Sequence, residues 1–445
     1  MSVEHTIGAL GLPAVRGDEE DVARVLRQPL TREEFHDLRE DARGIGVTDE
    51  LHAVVRYFDT PAGHTPAGFR VVFALERDGT LRADLVRDIS CDEDGAPRPT
   101  GVLYSADSAN PYEVAPVARL IANLTCNPSI IWDLFLADPQ ANVGGLFKDR
   151  DEVVTEIARL LGPGCDMSVE LEDPFEPDLA KIVDEAERIR DLVSPWRAVI
   201  KVPHTGPVNH ANAGQLLEGE GHLDARAEAP ATTDAFHGHN LALALRDRGF
   251  RVNFTLMFEP YQTRLALQAR PAFVNSFVRH RLFQSQALAE FLDRYDETGD
   301  DAVLVELRAY LLANDYLATT DADAPLGDCR ALAERVVAYR RVREPVGADG
   351  MDGVRENLRI LRSANLPQTR LIICSMEGPL NYPAVDRLLA EDEFTDMNGR
   401  VVVTAEPAYL ARFTSTNQVV SYQRRFLRAA AKTRAARRAA LSRPV

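Results

Sequence analysis

Residues 164–203 read GCDMSVELEDPFEPDLAKIVDEAERIRDLVSPWRAVIKVP. The stretch opens and closes on short apolar runs, GCDMSVELE and WRAVIKVP. Between them, through DLAKIVDEAERIRDLV, apolar residues recur every three to four positions. A strand, a helix and a second strand in that order make a crossover, and strands joined by a crossover run parallel. The same alternation continues outward on both sides. GVLYSAD (101–107) and LIANLTCNP (120–128) precede the stretch, and FRVNFTLMF (250–258), PAFVNSFV (271–278), TRLIICS (369–375) and GRVVVTAEP (399–407) follow it. Helical patterns such as DEVVTEIARLLG, NLALALRDRG and MDGVRENLRILRSA separate these runs. Eight such units imply an α/β fold, a (β/α)8 TIM barrel, in which the working side chains project from the C-terminal ends of the strands. Behind the first strand, Asn110-Pro111-Tyr112-Glu113 supplies an N-cap, a proline at the first helical position and a carboxylate three residues after the cap.

The expected barrel spans residues 99–422 and carries two long insertions. Residues 206–235, rich in Gly, Ala and polar residues, follow a strand end where a lid would sit, with His204 and His210 placed to touch substrate. Residues 282–346 carry extra helices: ALAEFLDRYD, DAVLVELRAYLLAND and CRALAERVVAYRR. Residues 1–98 read as an α+β extension. There EEDVARVLRQ and TREEFHDLRED are helical, while ELHAVVRYFD and GFRVVFALERDGTLRADLV alternate as strands do, with DG marking a hairpin turn. Residues 423–445 form a basic C-terminal helix or tail.

The 445 residues hold 51 Lys plus Arg against 68 Asp plus Glu, a net charge of −17, and 45% are hydrophobic, the composition of an ordered globular chain. No run nears the roughly 18 apolar residues that span a bilayer, and the start, MSVEHTIGALGLP, is neither basic nor strongly apolar. A cytoplasmic protein with no membrane partner is expected. The five cysteines are scattered without a CxxC pair, so reduced thiols are expected and neither metal nor other cofactor is called for. The acidic balance argues against nucleic acid, except at the last 22 residues, which hold seven Arg, one Lys and no acid and leave −25 for the rest. That tail is either a solvated helix or a contact for an acidic partner surface, and a homo-oligomer is left open.

Only Lys148, Lys181, Lys201 and Lys432 are lysines, against 47 arginines. An amine, unlike a guanidinium, can lose its proton and attack a carbonyl. Lys201 lies in the apolar run AVIKVPHT, where burial is expected to lower its pKa. Other strand ends bring Asp107, Thr125, Asn127, Glu170, Asn253 and Thr255 to the same face. A Schiff-base aldolase needs such a set: proton carriers for imine formation and hydrolysis, a carboxylate for the hydroxyl at the cleaved bond, and amides or hydroxyls to hold a sugar.

Five segments in order, ADSANPYEV, TCNPSII, SVELED, VIKVPHT and VNFTLMF, resemble the transaldolase family, including its fructose-6-phosphate aldolase relatives. The resemblance covers roughly residues 102–280 and, more faintly, 370–410. It implies Lys201 as the Schiff-base lysine, Glu170 and Thr255 as holders of the catalytic water, and Asp107 as the acid/base at the cleaved bond. Thr125, Asn127 and Asn253 would position substrate hydroxyls. The implied reaction moves a three-carbon dihydroxyacetone unit from a ketose to an aldehyde, with no cofactor and a sugar or sugar phosphate as substrate.

The later strands depart from the family pattern. Where transaldolases show Ser-Pro-Phe-Val-Gly-Arg, this chain has Asn275-Ser276-Phe277-Val278-Arg279-His280-Arg281, and where they show Ser-Phe-Arg it has Ser375-Met376-Glu377. Ser276, Arg279, Arg281, Ser375 and Glu377 therefore stand as the expected contacts to the far end of the substrate. A carboxylate at Glu377 opposes a phosphate. Two alternatives follow: an aldolase or transaldolase for an unphosphorylated or modified sugar, and a barrel without turnover that serves as a binding or scaffold protein. Retention of Asp107, Glu170 and Lys201 together argues against the second.

Overall fold

A computed structural model describes residues 5–92, 95–374 and 381–441. Eight strands form a closed barrel: β1 (Leu103–Asp107), β2 (Ile121–Cys126), β3 (Asp166–Glu170), β4 (Ala198–Pro203), β5 (Arg251–Thr255), β6 (Phe273–Phe277), β7 (Arg370–Cys374) and β8 (Val401–Ala405). Each pairs in parallel with its neighbour in sequence, and β8 pairs with β1 to close the ring. The fold is the (β/α)8 barrel expected from the alternation of apolar runs and helical stretches.

Period-two alternation divides each strand between two apolar environments. Leu103, Val199, Phe273, Ile372 and Val402 fill the lower interior. Ile200, Val202, Phe254 and Val274 face outward and pack with Ile157, Ile182, Leu245 and Leu358 from the surrounding helices. Among these helices are Arg150–Leu161, Leu179–Val193, His237–Arg246 and Asp352–Ser363. Their starts follow the sequence signals: Asp178 accepts from the amide of Ala180 at 2.9 Å, and Asn110 accepts from that of Tyr112 at 3.0 Å.

The N-terminal extension holds a three-stranded sheet of Gly44–Val47, Thr80–Arg87 and Phe69–Leu75, in that spatial order. The DG turn joins the last two as an antiparallel hairpin, with Gly79 at φ 85°. ELHAVVRYFD is not a strand: Asp49–Tyr57 is a helix. Thr48 caps it by accepting from the amide of Leu51 at 3.1 Å, and Leu51, Val54 and Val55 bury one face. A cap, two acids in the first turn and i, i+3, i+4 spacing outweigh the β-branched content.

The extension closes the N-terminal end of the barrel. Arg87, at the end of the hairpin, donates to Asp166 Oδ1 at 2.7 Å, and Arg251 of β5 donates to Oδ2 at 2.6 Å. Asp88 accepts from Arg370 of β7 at 2.9 Å, and Ile89 joins the interior apolar cluster. Burial alone would push the Asp166 carboxyl up, but the two guanidinium groups hold it below the usual range.

The second insertion contributes helices Arg279–Thr298, Asp301–Ala313 and Leu326–Tyr339, which share an apolar cluster built on Leu288, Leu307, Leu311 and Ala333. The loop 206–235 has only short helical turns and is tied to that insertion by Arg226–Asp321 at 2.6 Å and His222–Asp315 at 2.7 Å. Asn417–Leu441 forms a terminal helix. Among the described residues no helix is long and apolar enough to cross a membrane.

Asp166→Asn keeps the shape of the plug but leaves Arg87 buried without its counter-charge. A loss of about 3–5 kcal/mol is expected, read as a lower urea midpoint. Arg159→Ala, which removes a surface partner of Glu156, should leave the midpoint in place.

Candidate active site

The C-terminal ends of the strands surround a cavity of about 600 Å³. Lys201 rises into it from β4, 5% exposed, and its Nζ lies 3.1 Å from Glu170 Oε2. The register of β3 against β4 sets Glu170 directly beside Lys201, so the pair is fixed by the sheet. Asp107 ends β1 in the same cavity, with its Oδ1 buried and without a hydrogen-bond partner among the described residues. Thr125, Asn127 and Thr255 also line it.

The electrostatics correct the expectation for Lys201. Burial pushes its pKa down, but the Glu170 and Asp107 carboxylates push it up and prevail, so the resting amine is an ammonium. Burial has the opposite result at Asp107, whose pKa is pushed up to about 6: desolvation outweighs the attraction of Lys201, with Glu406 and Glu170 adding repulsion. A carboxyl poised near neutrality can both take and give a proton.

Beneath the cavity part of the polar interior is internally paired: Asn123 donates to Ser105 Oγ at 2.9 Å and accepts from Ser168 Oγ at 3.1 Å. Nearer the mouth, Thr125 Oγ1, Asn275 Oδ1 and Thr404 Oγ1 are buried with no hydrogen-bond partner among the described residues. Such groups cost stability unless something pairs them, and polyhydroxylated ligands offer both donors and acceptors. Asn127 uses Oδ1 to accept from the amide of Ile130 at 2.8 Å, capping a short helix and keeping its NH2 for other partners. Asn253 pairs in register with Lys201 and is fully buried, with both amide atoms unpartnered among the described residues, but it is not in the cavity wall.

Two expected contacts point elsewhere. Ser276 faces outward on β6, where its Oγ accepts from Asn357 at 3.1 Å; alternation on that strand turns Asn275 and Phe277 inward instead. Arg281 is consumed by structure, 3.0 Å from Glu259 and 2.6 Å from Asp352, with Arg340 2.7 Å from Glu259, so two carboxylates balance the two guanidinium groups and leave no net charge for a ligand. Arg279 is half-buried and makes no ion pair among the described residues; burial lowers its pKa. Ser375 and Glu377 lie outside the described residues.

No residue of the loop 206–235 is among the residues that line the cavity in this structure. His204 stacks on Phe254 at 5.1 Å on the outer side of the barrel, where burial pushes it down to about 4, and His210 is exposed.

Among the wall residues that escaped the sequence reading are Asn275, Thr404, Glu406, Tyr409 and Arg412. Alternation could have found the first three, since Asn275 shares the parity of Phe273 on β6 and Thr404 and Glu406 share that of Val402 on β8. Tyr409 and Arg412 come from the helix Pro407–Arg412, with the Arg412 guanidinium 5.6 Å above the Tyr409 ring. Leu256, directly after Thr255, lines the mouth at φ 54°, a left-handed conformation that costs a leucine strain.

None of the curated proteins matches the chain. A solved structure of a candidate dehydratase from Mesorhizobium loti shares 10% identity over 70% of the chain, with a TM-score of 0.34. The chain spans 56% of that protein's length, and the likeness is too slight to carry an argument. The family described as transaldolase/fructose-6-phosphate aldolase matches residues 104–349, a span that starts within β1, runs through β6 and takes in both insertions. With that match over more than half its length, its closed parallel barrel and a buried lysine held between carboxylates, the chain belongs to the transaldolase/fructose-6-phosphate aldolase family, an aldolase-type line of enzymes.

Proposed function

We propose that the protein is a Schiff-base transaldolase, moving a three-carbon dihydroxyacetone unit from a ketose to an aldehyde on Lys201. The observation that carries this reading is the buried Lys201 ammonium, 3.1 Å from Glu170 in a cavity shared with Asp107.

Glu170 takes a proton from Lys201, and the freed amine attacks the ketose carbonyl to give a carbinolamine. Protonated Glu170 returns the proton to the departing hydroxyl, which leaves as water beside Thr255 and yields a protonated imine. Asp107, ionised, then accepts the proton of the hydroxyl whose carbon is cleaved. The electrons of the breaking carbon–carbon bond flow into the imine, releasing an aldehyde and leaving an enamine on Lys201. An acceptor aldehyde reverses these steps, with Asp107 delivering the proton to the new hydroxyl, and water hydrolyses the imine.

Arg412, after β8, is the arginine that lines the cavity among the described residues and the candidate for a terminal phosphate in place of the paired Arg281; Arg279, after β6, carries no ion pair among those residues but is not in the cavity wall. A second reading, an unphosphorylated or modified sugar, is favoured by Glu406, a further carboxylate in the cavity wall.

The two carboxylates should separate kinetically. Glu170→Gln should slow imine formation and hydrolysis, while Asp107→Asn should still form the imine with donor but fail to cleave it, as rapid-quench analysis with a ketose phosphate would resolve. Because cleavage needs Asp107 ionised, its rate should fall as pH drops through about 6. Normal cleavage by Asp107→Asn would remove it from this role.

Substrate charge is decided by Arg412→Ala. If Arg412 binds phosphate, losing one charge-assisted hydrogen bond, about 1.5–3 kcal/mol, should raise KM for fructose 6-phosphate roughly 10- to 100-fold and leave free fructose unaffected. A wild-type preference for free fructose, with Arg412→Ala silent, would favour the second reading.

A further inference from the structure

Closure of the ring sets two pairs of charged side chains at adjacent strand ends. On one side of the mouth the register of β3 with β4 places Glu170 beside Lys201, 3.1 Å apart, opposite charges that answer each other. On the other side β8 runs beside β1, with Thr404 against Ser105 and Ala405 against Ala106. One step further along each chain stand Glu406 and Asp107, two carboxylates on neighbours whose backbones run roughly 4.8 Å apart. Both line the cavity.

The proposed chemistry uses Asp107 and assigns Glu406 no step. The fold does not use Glu406 either. It precedes the helix Pro407–Arg412, but its side chain accepts no capping hydrogen bond, and it makes no ion pair among the described residues. The lysine of the cavity is engaged by Glu170, and the Arg412 guanidinium lies over the Tyr409 ring. Like charges side by side cost stability, so an unpaired carboxylate at this strand end points to function. The titratable groups that share the cavity wall with Asp107 are Lys201 from β4, Glu170 from β3, Cys374 from β7, and Glu406, Tyr409 and Arg412 from the end of β8 and the helix after it. Burial holds the Cys374 thiol neutral, as it does Cys126 at the end of β2. At Asp107 itself desolvation raises the proton affinity most, Lys201 opposes it, and of the two repelling carboxylates Glu406 acts more strongly than Glu170.

We propose that Glu406 is a positioning residue for the bond-breaking step, a carboxylate set beside Asp107 by closure of the ring that makes Asp107 the stronger proton acceptor there. The inference rests on the reading of Asp107 as the base at the cleaved bond. In that step the substrate hydroxyl gives its proton to Asp107, the electrons of the oxygen–hydrogen bond form the aldehyde carbonyl, and those of the carbon–carbon bond pass into the protonated imine on Lys201. Proton transfer removes one of two adjacent negative charges. Repulsion from Glu406 is therefore relieved as the step advances, and its barrier falls. Glu406 touches none of the reacting atoms and acts through Asp107 alone.

Two measurements on the full chain test this. Infrared difference spectra of wild type against Asp107→Asn follow the carboxyl band of Asp107 through pH, and rapid-quench kinetics follow cleavage of fructose 6-phosphate or free fructose, whichever the wild type cleaves. The wild-type band should titrate at about 6. Glu406→Gln should move both that midpoint and the acid limb of the cleavage rate to lower pH and lower the plateau of the rate. Borohydride trapping of the donor on Lys201 should persist, and the thermal midpoint should not fall. Glu406→Asp, which keeps the charge, should recover most of the wild-type profile. An unmoved midpoint in Glu406→Gln, with donor still trapped, would overturn the inference and leave the Schiff-base reading standing. So would a lower thermal midpoint with the rate lost equally at every pH, the mark of a merely structural role. A wild type that traps no sugar on Lys201 would overturn the reading and this step with it.

Discussion

Closure of the eight-stranded parallel ring is the constraint on which the rest of the structure depends. Once β8 pairs with β1, every second side chain of every strand must point into one narrow interior, and the strand ends must converge. Lys201, Glu170 and Asp107 are separated in sequence by as many as 94 positions, yet closure brings them into one cavity. The same closure leaves an open lower end, which the N-terminal extension seals with Ile89 and the Arg87–Asp166–Arg251 and Asp88–Arg370 ion pairs.

The interior above that seal is graded. Ion pairs lie at the base, apolar residues and the Asn123 hydrogen bonds in the middle, and unpaired polar groups at the mouth. The last tier lines the cavity with hydrogen-bonding capacity left for a ligand. Electrostatics there set up a division of labour. Lys201 is held charged by its neighbours, whereas Asp107, equally buried, is pushed toward neutrality. In the proposed mechanism, a lysine held as an ammonium with a carboxylate acceptor at 3.1 Å becomes a nucleophile by one short proton transfer.

The barrel was legible because parallel strands covered on both faces read as apolar runs, and amphipathic helices between them leave a period of their own. The first five strands also carried family motifs, so the meeting of Asp107, Glu170 and Lys201 in one cavity could be expected from residues alone. Legibility failed where one signal overrode another. Thr48 and two acids turned a Val-rich stretch into the helix Asp49–Tyr57. At β6 the motif pointed to Ser276, while strand parity pointed to Asn275, and parity is the physical constraint. Arg281 could not be excluded from sequence because Glu259 and Asp352, which neutralise it, come from distant elements. The sign of the Lys201 shift was illegible for the same reason: burial is readable from an apolar run, but the two carboxylates that outweigh it arrive only with the fold.

The central claim is that Lys201 carries the substrate covalently. Borohydride reduction in the presence of a ketose phosphate or ketose that the enzyme turns over, followed by peptide mass mapping, measures it directly. The account predicts one reduced three-carbon adduct on the peptide containing Lys201 and none in Lys201→Met. An adduct confined to Lys148, Lys181 or Lys432, or unchanged turnover by Lys201→Met, would contradict it.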